Sequence, residues 1–177
     1  MKLYIRHSHK AYRNGFNDTY SFDPPITEEG RTYARTKFAY LLRQYGAPEV
    51  IVCSPYLRTR QTAEIARAVL MENGHNCAIY YDNSIAEHIT TKHRNVDFTG
   101  TRTPMTELEG PPKVESLGQY RQRITKHVET NREYDKTWYI THGGVIQSVA
   151  SQYNRVVNYP NEVCGIAIDN NGKVMIV

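Results

Sequence analysis

Three short apolar segments of this sequence stop at residues that can bind an anion. Residues 2–5 run into Arg6-His7, residues 49–53 into Ser54-Pro55, and residues 137–141 into His142-Gly143. Each segment has the length and the β-branched or aromatic content of a buried strand. Because the carboxyl ends of parallel strands meet at one edge of a sheet, where open α/β folds bind ligands, the sequence predicts that these residues share one crevice.

Helical patterns alternate with the strand-like segments. A first helix is predicted from Thr27, whose hydroxyl can cap free N–H groups, to a stop at Gly46 and Pro48. A second is predicted after residue 54, with a stop at Asn73-Gly74, and a fourth after residue 144. The third begins at a capping box formed by Ser116 and Gln119, and its apolar face is predicted to comprise Leu117, Tyr120, Ile124 and Val128.

The alternation of strands and helices predicts an α/β fold. Residues 77–81 provide a further strand, and Asn170-Asn171-Gly172 predicts a tight turn in a C-terminal hairpin. We expect a three-layer sandwich, with a mostly parallel central sheet flanked by helices on both faces and the hairpin at one edge. At 177 residues, the chain is expected to be a single domain spanning residues 1–177.

Two polar stretches, residues 8–26 and 88–112, are rich in turn-forming residues and poor in apolar ones. We interpret both as loops over the crevice, where substrate specificity is expected to lie.

Composition limits the classes of function. A net charge of +4 permits an anionic substrate but does not favour nucleic acid as a partner. No apolar run approaches about 18 residues, so no signal peptide or membrane span is expected. The three cysteines are odd in number and unevenly spaced, which favours free thiols and a cytoplasmic location. The sequence leaves the oligomeric state open.

A metal site is not expected. His7 and His9 form a His-x-His pair, with His88 and His93 also available, but no carboxylate or cysteine lies at ligand-like spacing. We therefore expect no metal and no cofactor.

Five motifs resemble, in the family's order, those of the histidine phosphatase superfamily, branch 1, which has the phosphoglycerate-mutase-like fold. They are Arg6-His7, Pro25-Ile26-Thr27-Glu28-Glu29-Gly30, the run from Ser54-Pro55 through Arg58 to Gln61-Thr62-Ala63, Ile85-Ala86-Glu87, and Thr141-His142-Gly143-Gly144. Each motif alone is weak, but their joint order makes the resemblance strong.

The resemblance implies a phosphatase that hydrolyses phosphomonoesters through a phosphohistidine on His7. Arg6 and Arg58 would each hold phosphate oxygens as planar forks. A protonated His142 would hold a third oxygen, and the N–H groups of the helix start at Gly143 would add to the field. Glu87 would act as general acid and then as base, a role that Glu107 or Glu109 could take instead.

Three positions depart from the family pattern. Ser8 stands where the family usually has glycine, and its hydroxyl could contact substrate. Lys10 falls where the acid-phosphatase branch and the Sts/TULA phosphatases place an arginine, and Arg13 where the mutases place asparagine. The extra cations, together with residues 22–27, resemble the Sts/TULA phosphatases more closely than the mutases.

Two alternatives remain open at this point. A mutase would transfer the phosphoryl group between substrate hydroxyls, and a weakly active module would bind phosphate without hydrolysis. In each case the expected partner is a phosphorylated small molecule or a phosphopeptide, and the sequence does not say which.

Overall fold

The computed structural model describes residues 1–11, 23–88, 114–132 and 136–177, which form six strands and four α-helices. The strands are β1 (Lys2–Arg6), β2 (Val50–Cys53), β3 (Ala78–Tyr81), β4 (Thr137–Thr141), β5 (Gly165–Ile168) and β6 (Val174–Ile176). The helices are α1 (Glu28–Tyr45), α2 (Leu57–Glu72), α3 (Leu117–Thr130) and α4 (Gly143–Gln152), with a short 3₁₀ helix at Asn83–Ile85.

The sheet has the strand order β3-β2-β4-β1-β5-β6. Strands β1 to β4 are parallel to their neighbours in this group, while β5 runs antiparallel to β1 and β6 antiparallel to β5. Arg6, the last residue of β1, lies opposite Thr141, the last residue of β4. The carboxyl ends of β1, β2 and β4 therefore meet at one edge, as predicted, and the C-terminal hairpin lies at the side of the sheet.

Alternate residues of β1 pack into two separate cores. Leu3 and Ile5 face α1 and α2, where Phe38 lies in the same cluster. Tyr4 faces the other way, towards α3 and α4, and stacks on Tyr139 with ring centroids 4.4 Å apart. Helices thus cover both faces of the sheet, which confirms the predicted three-layer α/β sandwich.

The predicted helix signals are confirmed at two starts. Thr27 accepts a hydrogen bond from Gly30 N at 2.9 Å, and Ser116 and Gln119 form the reciprocal capping box. The apolar face of α3 was predicted wrongly at its first residue, because Leu117 is 52% exposed. Contact with the core begins one turn later, at Tyr120.

The three cysteines are free thiols, as predicted, with Cys53 and Cys77 buried and Cys164 half-buried. No helix in the described ranges is both long enough and apolar enough to cross a membrane.

Candidate active site

Two histidines that are far apart in sequence meet at the sheet edge. His7 follows β1 and His142 follows β4, and these two strands are paired. Their ring centroids lie 5.5 Å apart with the planes at 65°. Both side chains are buried, so each imidazole is held in a defined position by its surroundings.

The ring of His7 is fixed through its Nδ1 atom, which lies 2.7 Å from the backbone carbonyl oxygen of Ser8. Because a carbonyl only accepts, Nδ1 carries the hydrogen and the lone pair is on Nε2. Burial, reinforced by the charge of Arg58, lowers the pKa of His7 to about 3. The ring is therefore neutral near pH 7, and its Nε2 has the unprotonated lone pair that a nucleophile needs.

Ser8 is fully buried, and all its polar contacts here are internal. Its amide N–H donates to Thr62 Oγ1 at 3.0 Å and its hydroxyl donates to the carbonyl of Gly30 at 2.7 Å. The hydroxyl hydrogen is thus used within the protein. In this arrangement Ser8 orients His7 by tying the end of β1 to α1 and α2.

The second imidazole, His142, is held by side chains. Arg58 Nη2 lies 3.3 Å from Nδ1, and since a guanidinium only donates, Nδ1 is the acceptor. Nε2 then carries the hydrogen and donates to Ser54 Oγ at 2.8 Å. Burial and then the charge of Arg58 lower the pKa of His142, so the ring is neutral here rather than protonated as the resemblance implied. A bound phosphate dianion would favour protonation instead.

Arg58 connects the parts of the site. This side chain is buried, and its Nη2 donates to Glu87 as well as to His142. The guanidinium also lies over the ring of Tyr56, 4.4 Å from its centroid. Its charge therefore acts on Glu87 and on both imidazoles.

Glu87 lies between Arg58 and His142, with Oε2 3.8 Å from His142 Nδ1. Its side chain is 44% exposed, so the carboxyl group can reach both the buried centre and solvent. This location suits a group that exchanges protons with a leaving group and with water.

Asp23 also belongs to the site, although no sequence motif pointed to it as a site residue. Its Oδ1 accepts from the N–H of Leu57 at 2.7 Å, at the start of α2, and lies 3.4 Å from Arg58 Nη1. Its Oδ2 is buried with no hydrogen-bond partner in the described part of the chain. Burial outweighs the nearby charge of Arg58 and raises the pKa of Asp23 to about 6.

Arg6 is held by a segment after α4 that sequence reasoning also missed. Nη1 donates to the carbonyl of Pro160 at 2.9 Å, Nη2 pairs with Glu162 at 3.1 Å, and the guanidinium lies 4.8 Å from the ring centroid of Tyr159. Its Nε atom is buried with no hydrogen-bond partner among the residues described. One donor of Arg6 is thus available for an anion.

Gly143 is the first residue of α4, and a Cβ atom there would overlap the Tyr159 ring. The His142 side chain makes no capping hydrogen bond to the first turn of α4. Backbone N–H groups at the start of a helix can donate hydrogen bonds to an anion. Gly143 therefore leaves room for the Tyr159 ring and also begins the helix next to His142.

Of the remaining residues predicted for the site, Lys10 is described by the structure and three others are not. Lys10 pairs with Ile26 in an isolated bridge, and its charge contributes to lowering the pKa of both His7 and His142. Arg13, Glu107 and Glu109 lie outside the described residues. Within the ranges that the structure describes, no group of three or more His, Cys, Asp or Glu side chains is placed to hold a metal ion.

The comparison of the sequence with models of protein families identifies the family. The model for the histidine phosphatase superfamily, branch 1, matches residues 3–161. The chain belongs to this superfamily. No curated protein matches the sequence significantly.

Solved structures show the same fold at low sequence identity. The ecdysone phosphate phosphatase of Bombyx mori matches with a TM-score of 0.69 and 14% identity, over 98% of this chain and 91% of that one. YhfR of Bacillus stearothermophilus matches with a TM-score of 0.65 and 20% identity, over 99% of this chain and 94% of that one. A mycobacterial glucosyl-3-phosphoglycerate phosphatase matches with a TM-score of 0.58 and 19% identity, over 92% of this chain and 86% of that one. Closeness to the Sts/TULA phosphatases is not shown by these comparisons.

Proposed function

We propose that this histidine phosphatase superfamily member hydrolyses phosphomonoesters through a covalent phosphohistidine on His7, without a metal. The observation that carries the proposal is the state of His7, which is buried and neutral, with Nδ1 fixed by Ser8 and Nε2 left as the nucleophile. Two of the similar folds are named phosphatases, and their structures include complexes with tungstate and with vanadate. Both oxyanions are phosphate analogues, which fits a phosphate site here.

In the first step, the lone pair of His7 Nε2 forms a bond to phosphorus as the bond from phosphorus to the leaving oxygen breaks. Glu87, in its protonated form, donates its proton to that oxygen, and the alcohol departs. The products are N-phosphohistidine and the Glu87 carboxylate. Splitting the reaction in this way replaces one difficult displacement by two easier ones.

In the second step, water attacks phosphorus and gives a proton to the Glu87 carboxylate. The bond from Nε2 to phosphorus breaks, the lone pair returns to His7, and inorganic phosphate leaves. Glu87 is then protonated and ready for the next turnover.

The cationic groups stabilise charge on the phosphoryl oxygens, which is the main contribution a protein makes to this reaction. Arg6 offers its buried Nε, and Arg58 offers its fork once the phosphate competes with Glu87. His142, protonated when the dianion arrives, donates through Nδ1. Lys10 adds charge nearby, Arg13 stays a predicted contact, and Ser8 is assigned a positioning role rather than substrate contact.

Three broader predictions remain part of this proposal. They are a single domain over residues 1–177, a cytoplasmic location, and closeness to the Sts/TULA phosphatases. The last rests on Lys10 and on residues 22–27 of the sequence.

The test is release of inorganic phosphate from p-nitrophenyl phosphate by the wild-type protein. We expect turnover to persist in a chelator, to be inhibited by vanadate, and to fall by at least about 10³-fold in His7→Ala. His75→Ala changes an exposed histidine and is the matched control, expected to retain full activity. Undiminished turnover in a folded His7→Ala variant would refute the mechanism, and phosphoryl transfer to an added alcohol that exceeds phosphate release would favour a mutase.

A further inference from the structure

A groove of about 840 Å³ leads away from the candidate catalytic residues between α3 and α4. Glu87 and Gly144 line it, and both lie next to the candidate site, because Glu87 Oε2 is 3.8 Å from His142 Nδ1 and Gly144 follows Gly143 at the start of α4. Since Glu87 is the proposed proton donor to the leaving oxygen, the groove begins where the alcohol part of the substrate must lie. Its volume is in the range of small-molecule sites, about 300–1,000 Å³, and far exceeds what a phosphate needs.

We propose that this groove binds the alcohol part of the substrate, and that this part is an uncharged ring carrying several hydroxyl groups. Sugar phosphates and nucleoside monophosphates share this chemistry. The inference rests on the proposed phosphatase function and adds the class of substrate to it.

The aromatic side chains of the groove support a ring-shaped ligand chiefly through one exposed ring, that of Tyr159. His88 and Tyr120 line the groove but stack on each other, with centroids 4.9 Å apart and planes at 26°, and the Arg123 guanidinium lies 5.1 Å from the Tyr120 centroid, so the Tyr120 ring is buried. Tyr159, packed against Gly143, lines it as well and is 53% exposed. Aromatic faces of this kind bury the apolar face of a ring while leaving its polar edge free for hydrogen bonds.

The α4 side of the groove presents hydrogen-bond acceptors. The hydroxyl of Ser148 donates to the carbonyl of Gly144 at 2.8 Å, and that of Ser151 donates to the carbonyl of Ser148 at 2.7 Å. Gln147 uses its Nε2 to donate to Val157 O at 3.1 Å, which leaves its Oε1 as an acceptor. Ser148 Oγ also lies 3.3 Å from the Tyr120 hydroxyl, so the lone pairs of Ser151 Oγ and Gln147 Oε1 are the ones that complement the O–H donors of a hydroxylated ligand.

The charges along the groove disfavour an anionic alcohol. Among the described residues that line it, the charged side chains besides histidine are Glu87, next to the candidate site, and Arg121, which is exposed. A carboxylate attached next to the phosphate, as in a phosphoglycerate, would find Arg121 as the one Arg or Lys side chain among these residues, and burying an anion without a paired cation costs free energy. An uncharged hydroxylated ring avoids this cost.

The experiment compares kcat/KM for five substrates: p-nitrophenyl phosphate, 3-phosphoglycerate, glucose 6-phosphate, adenosine 5′-monophosphate and a phosphotyrosine peptide. We expect glucose 6-phosphate or the nucleotide to exceed both 3-phosphoglycerate and the peptide by at least about tenfold. The two ring substrates separate the sugar from the nucleoside source. A preference for the phosphoglycerate or the peptide would overturn the inference.

A groove-filling variant provides the second arm. Ser151→Trp places a large ring in the groove, so the preference for the better ring substrate over 3-phosphoglycerate should fall by about tenfold. Gln122→Trp, an exposed position on α3 outside the groove lining, is the control and should keep the preference. An unchanged preference in a folded Ser151→Trp variant would overturn the inference while hydrolysis of p-nitrophenyl phosphate still supported the phosphatase. Failure to hydrolyse any of the five substrates would overturn both.

Discussion

The two imidazoles of the site are both buried and neutral, but they are held in different ways. His7 is fixed by a backbone carbonyl, that of Ser8, which no side-chain substitution removes directly. His142 is fixed by the side chains of Ser54 and Arg58, and Arg58 in turn contacts Glu87 and Asp23. His7, the proposed nucleophile, thus has a rigid support, whereas the protonation state of His142 depends on a network of charged groups. Substitutions in that network should therefore have graded effects.

The largest effect within the network is expected for Arg58→Ala. The change removes a cation from the phosphate site and also releases Glu87 and Nδ1 of His142. We expect kcat/KM to fall by about 10²–10³-fold, as for the loss of a preorganised charge donor. Arg35→Ala, which breaks a surface pair with Glu72, is the control and should change kcat/KM little. Equal effects of the two changes would show that Arg58 does not serve the reaction.

Glu87→Gln should have an effect that depends on the leaving group. General acid catalysis contributes about 10²–10⁴-fold, but p-nitrophenolate leaves without needing a proton. We expect kcat/KM for an alkyl phosphate to fall by about 10²-fold or more and for p-nitrophenyl phosphate to fall far less. Because kcat/KM reports steps up to the release of the alcohol, the comparison isolates the proton donor. The same loss for both substrates would contradict this role.

Ser54→Ala is expected to have a smaller effect, because it removes only the acceptor for the Nε2 hydrogen of His142. Leaving a buried N–H without a partner costs about 1–3 kcal/mol, so we expect kcat/KM to fall by about tenfold. Ser54→Thr keeps an oxygen at this position and should recover most of the loss. If Ser54→Thr is as impaired as Ser54→Ala, the hydrogen bond to His142 is not the cause.

Asp23→Asn is expected to change mainly the free energy of unfolding and its dependence on pH. Burial raises the pKa of Asp23 from 3.8 to about 6, so between these values the folded protein holds a proton that the unfolded chain has released. The contribution of Asp23 to the free energy of unfolding therefore falls as the pH rises from about 4 to 6. The amide of Asp23→Asn does not titrate, so the variant should gain about 2 kcal/mol relative to wild type between pH 4 and pH 7.

Urea unfolding of both proteins at these two pH values measures this difference. If the free energies of unfolding of the variant and the wild type differ by the same amount at both pH values, folding does not raise the pKa of Asp23. Asp169→Asn, in the exposed turn before β6, serves as the control.

Sequence reasoning succeeded where topology forces residues together. Arg6, His7 and His142 follow or end strands that pair in parallel, and Arg58 stands in the first turn of the helix after β2. Once the strands are identified, their carboxyl ends must share one edge. Thr27 was predictable for a local reason, since its cap depends only on the next three residues.

The residues missed by sequence reasoning lie in segments without periodicity. Asp23, Tyr159 and Glu162 contact arginines far away in the sequence, and an acidic or aromatic residue in a loop carries no sign of such a partner. Ser8 shows a different limit. Its hydroxyl could have pointed to substrate or to protein, and only the position of the Gly30 carbonyl decides between them.

The central claim is that His7 carries the phosphoryl group during turnover, and a quench experiment addresses it directly. Protein mixed with p-nitrophenyl phosphate is stopped in base, where phosphohistidine survives, and its peptides are analysed by mass spectrometry. We predict one phosphoryl group on the peptide that contains His7, in larger amounts in Glu87→Gln, where water attack is slowed, and none in His7→Ala. A phosphoryl group found on another residue, or turnover by the wild-type protein with none on His7, would contradict the account.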